Sequence, residues 1–136
     1  MADLTITAAD VLTTTSTRTY IGVAGATVTA GQPVYADATD SNKYKPADAD
    51  ADASSRAIGI AVHGASNGQP LTVAQYGNLT ISAVMTVGEV YTVSATAGGI
   101  APVGDLVTGN YVTVLGVATT TSNLQLGTIY SATAKP

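Results

Sequence analysis

The chain has no cysteine, no tryptophan and no phenylalanine. Without cysteine there is no disulfide framework and no thiolate to act as nucleophile or metal ligand, and the redox compartment leaves no mark on the sequence. Aromatic residues are only 5% of the 136 residues, and all seven are tyrosines placed singly. Stacking platforms for nucleobases need clustered aromatics in a basic groove, and both are missing. Charge is also scarce. Charged residues make up 10% of the chain, the net charge is −4, and the basic residues Arg18, Lys43, Lys45, Arg56 and Lys135 are scattered. No stripe of cations follows a phosphate backbone or an anionic bilayer, which argues against nucleic acid and membrane as partners. No apolar run approaches the ~20 residues of a membrane-spanning helix. The opening MADLTITAAD lacks the basic and apolar regions of a secretory signal, so the expectation is a soluble protein made in the cytoplasm without an export address.

What is present is a 46% apolar fraction interleaved with threonine and serine. That composition belongs to a folded chain rather than a disordered one. The length suits one domain, which buries about 68% of the surface exposed when unfolded. Its interior must be built from Val, Ile, Leu and many Ala. Alanine brings little area at roughly 25 cal/mol per Å², so the core is expected to be thin and subunit contacts to supply part of the stability.

Apolar–polar alternation places short strands along the whole chain. Leu4-Thr5-Ile6-Thr7 reads as the first, followed by a Thr/Ser-rich stretch to Thr19. Residues 1–19 thus form an N-terminal arm, read either as a loop or edge strand, or as an arm that pairs with a neighbouring subunit. Residues 20–136 form a single β domain. Tyr20–Val23 and Pro33–Ala36 read as strands, the second opened by a proline that cannot donate to a ladder. Asp37 to Asn42 has the short polar side chains of a turn, and Lys43–Pro46 returns as its hairpin partner. The tract Ala47 to Ser55, ADADADASS, reads as a short helix or a solvated loop. Arg56–Val62 is the strongest strand of the first half, with Gly59 marking a bulge or close backbone approach. Asn67-Gly68 reads as a tight hairpin into Leu71–Tyr76. Gly77-Asn78 then turns the chain, and Leu79–Ser82 alternates again.

The second half repeats this scheme. Tyr35 matches Tyr91 and Pro46 matches Pro102 at one common offset. Ile58-Gly59-Ile60-Ala61 matches Leu115-Gly116-Val117-Ala118 at an offset one residue longer, and Leu71–Ala74 is set against Leu124–Gly127. The pseudo-repeats cover about 29–76 and 86–130. The polar tip of the first is replaced in the second by Ala97-Gly98-Gly99. The fold class is all-β: a compact β-sandwich, jelly-roll-like, or a small barrel of two similar halves. Two repeats are too few for a solenoid.

No stretch carries recognisable site chemistry. Asp48, Asp50 and Asp52 have the spacing of the first calcium-loop ligands. The loop glycine is replaced by Ala53, however, and Gly59 stands where the bidentate glutamate belongs. His63 has no nucleophile elbow or triad context. Gly64 to Gly68 lacks the lysine and following helix of a phosphate loop. Asn78-Leu79-Thr80 fits a glycosylation sequon without a secretory context. The reading is therefore no catalytic residue, no metal ligand and no cofactor, and a protein that is not an enzyme.

The phrases LTITAADV, TVTAGQPVYAD, KYKPADADA, AIGIAVHGASNGQPLTV, YTVSATAGGIAPVGDL and GNYVTVLGVAT, in this order, resemble the small capsid cement, or head decoration, proteins of tailed bacteriophages. The resemblance spans most of the chain. It implies a non-enzymatic, β-rich virion protein on the outer surface of an HK97-type capsid, made in the cytoplasm of a bacterial host. Its expected partners are the phage major capsid protein and further copies of itself, as a dimer or trimer. On that reading the contacts are the arm, Ala2 to Thr19, with exposed strand edges and loop tips. The alternative is another phage structural β-module, such as a tail-tube, head-fibre or host-adhesion domain; a small carbohydrate- or metal-binding β-domain comes third. The thin core predicts an unfolding midpoint that falls as the protein is diluted to monomer; a midpoint independent of concentration would refute the expected role of subunit contacts.

Overall fold

A computed structural model describes residues 3–82 and 84–136. The protein is all-β, a ten-strand antiparallel curled sheet that forms a half-barrel. The strands are β1 (Leu12–Thr13), β2 (Arg18–Val23), β3 (Pro33–Asp37), β4 (Lys43–Pro46), β5 (Ala57–Ala61), β6 (Pro70–Thr80), β7 (Val90–Val93), β8 (Ile100–Pro102), β9 (Tyr111–Ala118) and β10 (Asn123–Ala134). One short helix, α1 (Asp52–Ser55), precedes β5. The sheet order β4-β3-β5-β6-β10-β9-β7-β8 reads the same outward from the central β6/β10 pair in both directions.

The correspondence extends to the irregularities. β5 carries one extra residue against β3 between the pairs Val34–Gly59 and Tyr35–Ala57. β9 does the same against β7 between Tyr91–Gly116 and Thr92–Val114. A glycine follows each bulge because the next strand passes very close. A Cβ on Gly59 would collide with the Ala74 carbonyl oxygen, and one on Gly116 with that of Gln125. The pairs Ala61–Val73 and Ala118–Leu124 make Val73 the counterpart of Leu124. The alignment of Leu71 with Leu124 is therefore two residues out of step. Such a slip keeps every side chain on its face, which is why the residue pattern tolerated it.

β6 is the hub. One edge bonds β5 and then β10; the other bonds β2 and then β1. The expected turn at Gly77-Asn78 is not formed. Gly77 has φ of +87° but lies inside the strand, where the Ser16 carbonyl crowds it. A register shift beside it, between Arg18–Tyr76 and Thr19–Ala74, kinks β6 and changes which residues face inward. Ala74, Leu79 and Ile81 consequently share the main core with Ile60, Tyr91, Leu115 and Leu124. Leu71 and Val73 face the opposite side, in a smaller core with Ala24, Val28 and Val34.

Three other local expectations change. Leu4–Thr7 is extended but not a strand, tied to β8 by the Leu4 N–H on the Ile100 carbonyl at 2.8 Å. Asn67-Gly68 is not a two-residue hairpin. Gly68 alone has positive φ, the Gln69 N–H closes on the Ser66 carbonyl, and the whole connection runs from residue 62 to 69. The segment 47–49 is not a solvated connector. Ala47 and Ala49 are fully buried, and alternation leaves the aspartates outside. Ala49 donates to Ser94 and accepts from Tyr111, while Ala47 accepts from Gly98. The tract thus ties the first half to the second.

Tyr91 is the largest fully buried side chain, and its hydroxyl accepts the Thr86 N–H at 2.8 Å. Tyr91→Phe leaves that amide unpaired and is expected to cost about 1–3 kcal/mol in denaturant unfolding. Gly59→Ala and Gly116→Ala should each cost about 1–3 kcal/mol by overpacking against a neighbouring strand. A loss at one glycine only would break the equivalence of the two halves.

Candidate functional site

The acidic residues collect on one side of the sequence, and each of the motif carboxylates has internal work. Asp48 accepts the Asp50 N–H at 3.0 Å and the Ser54 hydroxyl at 2.8 Å. Asp52 is held by both arms of the Arg56 guanidinium at 2.8 and 3.1 Å. The same guanidinium lies 4.9 Å from the centre of the Tyr130 ring, linking α1 to the exposed end of β10. Arg56 holds the Asp52 carboxyl below the usual range. Among the described residues no group of three or more His, Asp or Glu converges as a metal cage.

At the β3–β4 tip, Asp37 accepts the Lys45 ammonium at 2.7 Å and both the N–H and hydroxyl of Thr39. Asp40 adds a second carboxylate to Lys45 at 3.2 Å. Ser41 and Asn42 take positive φ to close the turn. These bonds, led by Lys45, hold Asp37 down at about 2. Burial, with Asp37 next, raises the neighbouring Tyr35 hydroxyl. Tyr35, Asp37, Thr39, Asp52 and Arg56 line an open groove of about 330 Å³. Its ionic groups already satisfy one another.

His63 is exposed after β5, and both ring nitrogens are engaged by backbone. Nε2 accepts the Thr72 N–H at 3.0 Å, which leaves the Nδ1 proton for the Gly64 carbonyl at 2.9 Å. The ring is a brace between β5 and β6, with no acid or nucleophile beside it. Thr92 and Thr113 are buried hydroxyls that donate to the Ala101 and Ser55 carbonyls.

The remaining candidate is surface. Of the arm, Met1 and Ala2 lie outside the described residues. The rest runs over its own domain: Asp3 accepts the Ser94 hydroxyl at 2.5 Å, Leu4 and Ile6 pack on the main core, and Leu12–Thr13 pairs with β6. A cavity of about 430 Å³ opens between the arm and the β6–β7 connection, lined by Leu4, Val84, Thr86, Tyr91 and Pro102. Exposed large apolar residues are Leu12, Tyr20, Ile21 and Val23 on β1–β2, Tyr76 on β6, Ile129 and Tyr130 on β10, and valines 84, 87, 103 and 107 on connections. Residue patterns did not mark this surface, because a strand exposed on both faces alternates no differently from a half-buried one. Comparison with protein-family models, with curated proteins and with solved structures returns no match.

The Asp37 carboxyl, lowered in the fold, stabilises above its ordinary range near 3.8, and this contribution disappears as pH falls through about 2. Acid titration of the folded protein should therefore loosen the β3–β4 tip in that window, read as faster amide exchange at Thr39. Lys45→Met should bring the loosening to higher pH; an unchanged profile would exclude the ion pair as its cause.

Proposed function

We propose that this protein is a non-enzymatic virion structural protein, a capsid cement protein that sits on the outer face of an HK97-type phage head and bridges major capsid subunits. The phrases from LTITAADV to GNYVTVLGVAT support the reading at the level of sequence. The observation that carries it in three dimensions is the contrast between a small, alanine-rich interior and large apolar side chains left on strands and loop tips. A cleft with converging ionisable groups would suit an enzyme; scattered apolar tips around a rigid β frame suit surface fit to other proteins.

The mechanism is mechanical. A shell under pressure fails where capsomer edges part. A clip that touches two subunits makes its second contact intramolecular, so weak contacts add through effective concentration. Stable contacts of this kind bury roughly 1,200–2,000 Å² in total. The valine-bearing connections and the groove beside the arm are the shell-facing elements on this reading; the arm itself is committed to its own sheet.

Purified protein added to undecorated capsids should bind to saturation and raise their resistance to heat and chelator. Absence of saturable binding would reject the proposal. Hundreds of copies per particle fit cement, whereas a handful would favour an adhesin or fibre domain.

A further inference from the structure

The two ends of the main sheet are closed by the chain itself. Along β8 the Leu4 N–H bonds the Ile100 carbonyl, and along β4 the Gly25 N–H bonds the Tyr44 carbonyl. β2 is different. It pairs with β6 on one side, and among the described residues no strand lies along its other side until Ala24 bridges to Tyr44. The Ala24 N–H points to β6, onto the Gln69 carbonyl. Ladder groups alternate in an antiparallel pair, so Gly22 and Tyr20 also face β6. Thr19, Ile21 and Val23 turn their N–H and C=O groups outward.

The open edge is apolar on both faces. Ile21 is 74% exposed and Tyr20 57%, although Tyr20 lies opposite the fully buried Val73 on the side of the smaller core. That core is therefore left uncovered at β2. Proteins normally blunt such an edge with lysine, proline or a covering segment, as this chain does at β4 and β8. None of these devices is present between Thr19 and Val23.

We propose that β2 pairs antiparallel with β2 of a second copy about a two-fold axis at Ile21. The outward groups permit this register: Ile21 opposite Ile21 of the other copy, and Thr19 opposite Val23. Tyr20 then falls opposite Gly22, whose missing side chain leaves its backbone against the Tyr44 ring. Tyr20 of each copy covers that glycine and extends the smaller core across the axis. The pairing is self-complementary in charge. Arg18 meets neutral Ala24, and β2 holds no acidic residue, five of the nine acids being gathered within 37–52. The interface is isologous, so it closes as a dimer and does not propagate. It deepens the self-association in the reading above without depending on a capsid.

The native chain has no thiol, so Ile21→Cys introduces one. Cα atoms of a hydrogen-bonded pair lie about 5.5 Å apart, within disulfide reach. Mild oxidation should convert this variant to a covalent dimer much faster than Val87→Cys, which is exposed on a different connection. Wild-type protein should sediment as a concentration-dependent dimer, and Ile21→Lys, which sets like charges face to face, should weaken it roughly tenfold or more while keeping its amide spectrum folded. A monomeric wild type, an oligomer indifferent to Ile21→Lys, or equal cross-linking of the two cysteine variants would each overturn the inference. If a monomeric wild type still binds capsids, the shell-binding reading stands and only the β2 pairing fails.

Discussion

The architecture depends on β6 meeting four strands with two edges. A strand of this length can serve two partners per edge only if the sheet bends between them. The bend sits at Gly77, which holds a backbone angle costly to other residues and leaves room for the Ser16 carbonyl. Upstream of it β6 is buried on both faces, between the main core and the smaller one. Downstream, one face turns to solvent with Tyr76, Asn78 and Thr80. The division into two apolar cores, the meeting of the two halves and the displacement of β1–β2 to an outlying edge all follow from that single backbone geometry.

A second tie works across the sheet from the first. The halves share the β6–β10 ladder on one side and the buried alanines 47 and 49 on the other, which bond to Ser94, Gly98 and Tyr111. Alanine is the residue that fits here. The backbone must approach three other segments, and a larger side chain would hold them apart. The thin core is thus the counterpart of close backbone packing, in which hydrogen bonds and small side chains take the place of bulky apolar residues.

Much of the fold could be read from the sequence because period-two alternation is local. The β3–β4 hairpin with its Asp37–Asn42 tip, the glycine-bearing strands β5 and β9 and the likeness of the halves were all visible in it. Misreadings occurred where a residue type has two uses. Gly77 serves as a kink as readily as a turn, and Asn67-Gly68 closes a type of turn in which only the glycine needs positive φ. The Ala/Asp tract looked solvated because its composition is polar on average, while its alternation puts the alanines inside. The acidic residues and His63 drew attention as chemistry, but their partners, Arg56, Ser54, Gly64 and Thr72, are backbone and side-chain groups of the scaffold. The open side of β2 had no signature, since edge position is a property of the assembled sheet.

The mirrored strand order has a historical reading. Two four-strand units meeting along a shared antiparallel ladder have the geometry of a homodimer of half-length chains, here joined into one polypeptide. Fusion releases each half from the need to match its twin. One hairpin tip has kept a network of aspartate, threonine and lysine, while the other has shrunk to glycines that tuck beneath the joining tract. Asymmetry of this sort gives a body with two unlike ends, so that one can specialise without disturbing the frame that carries both.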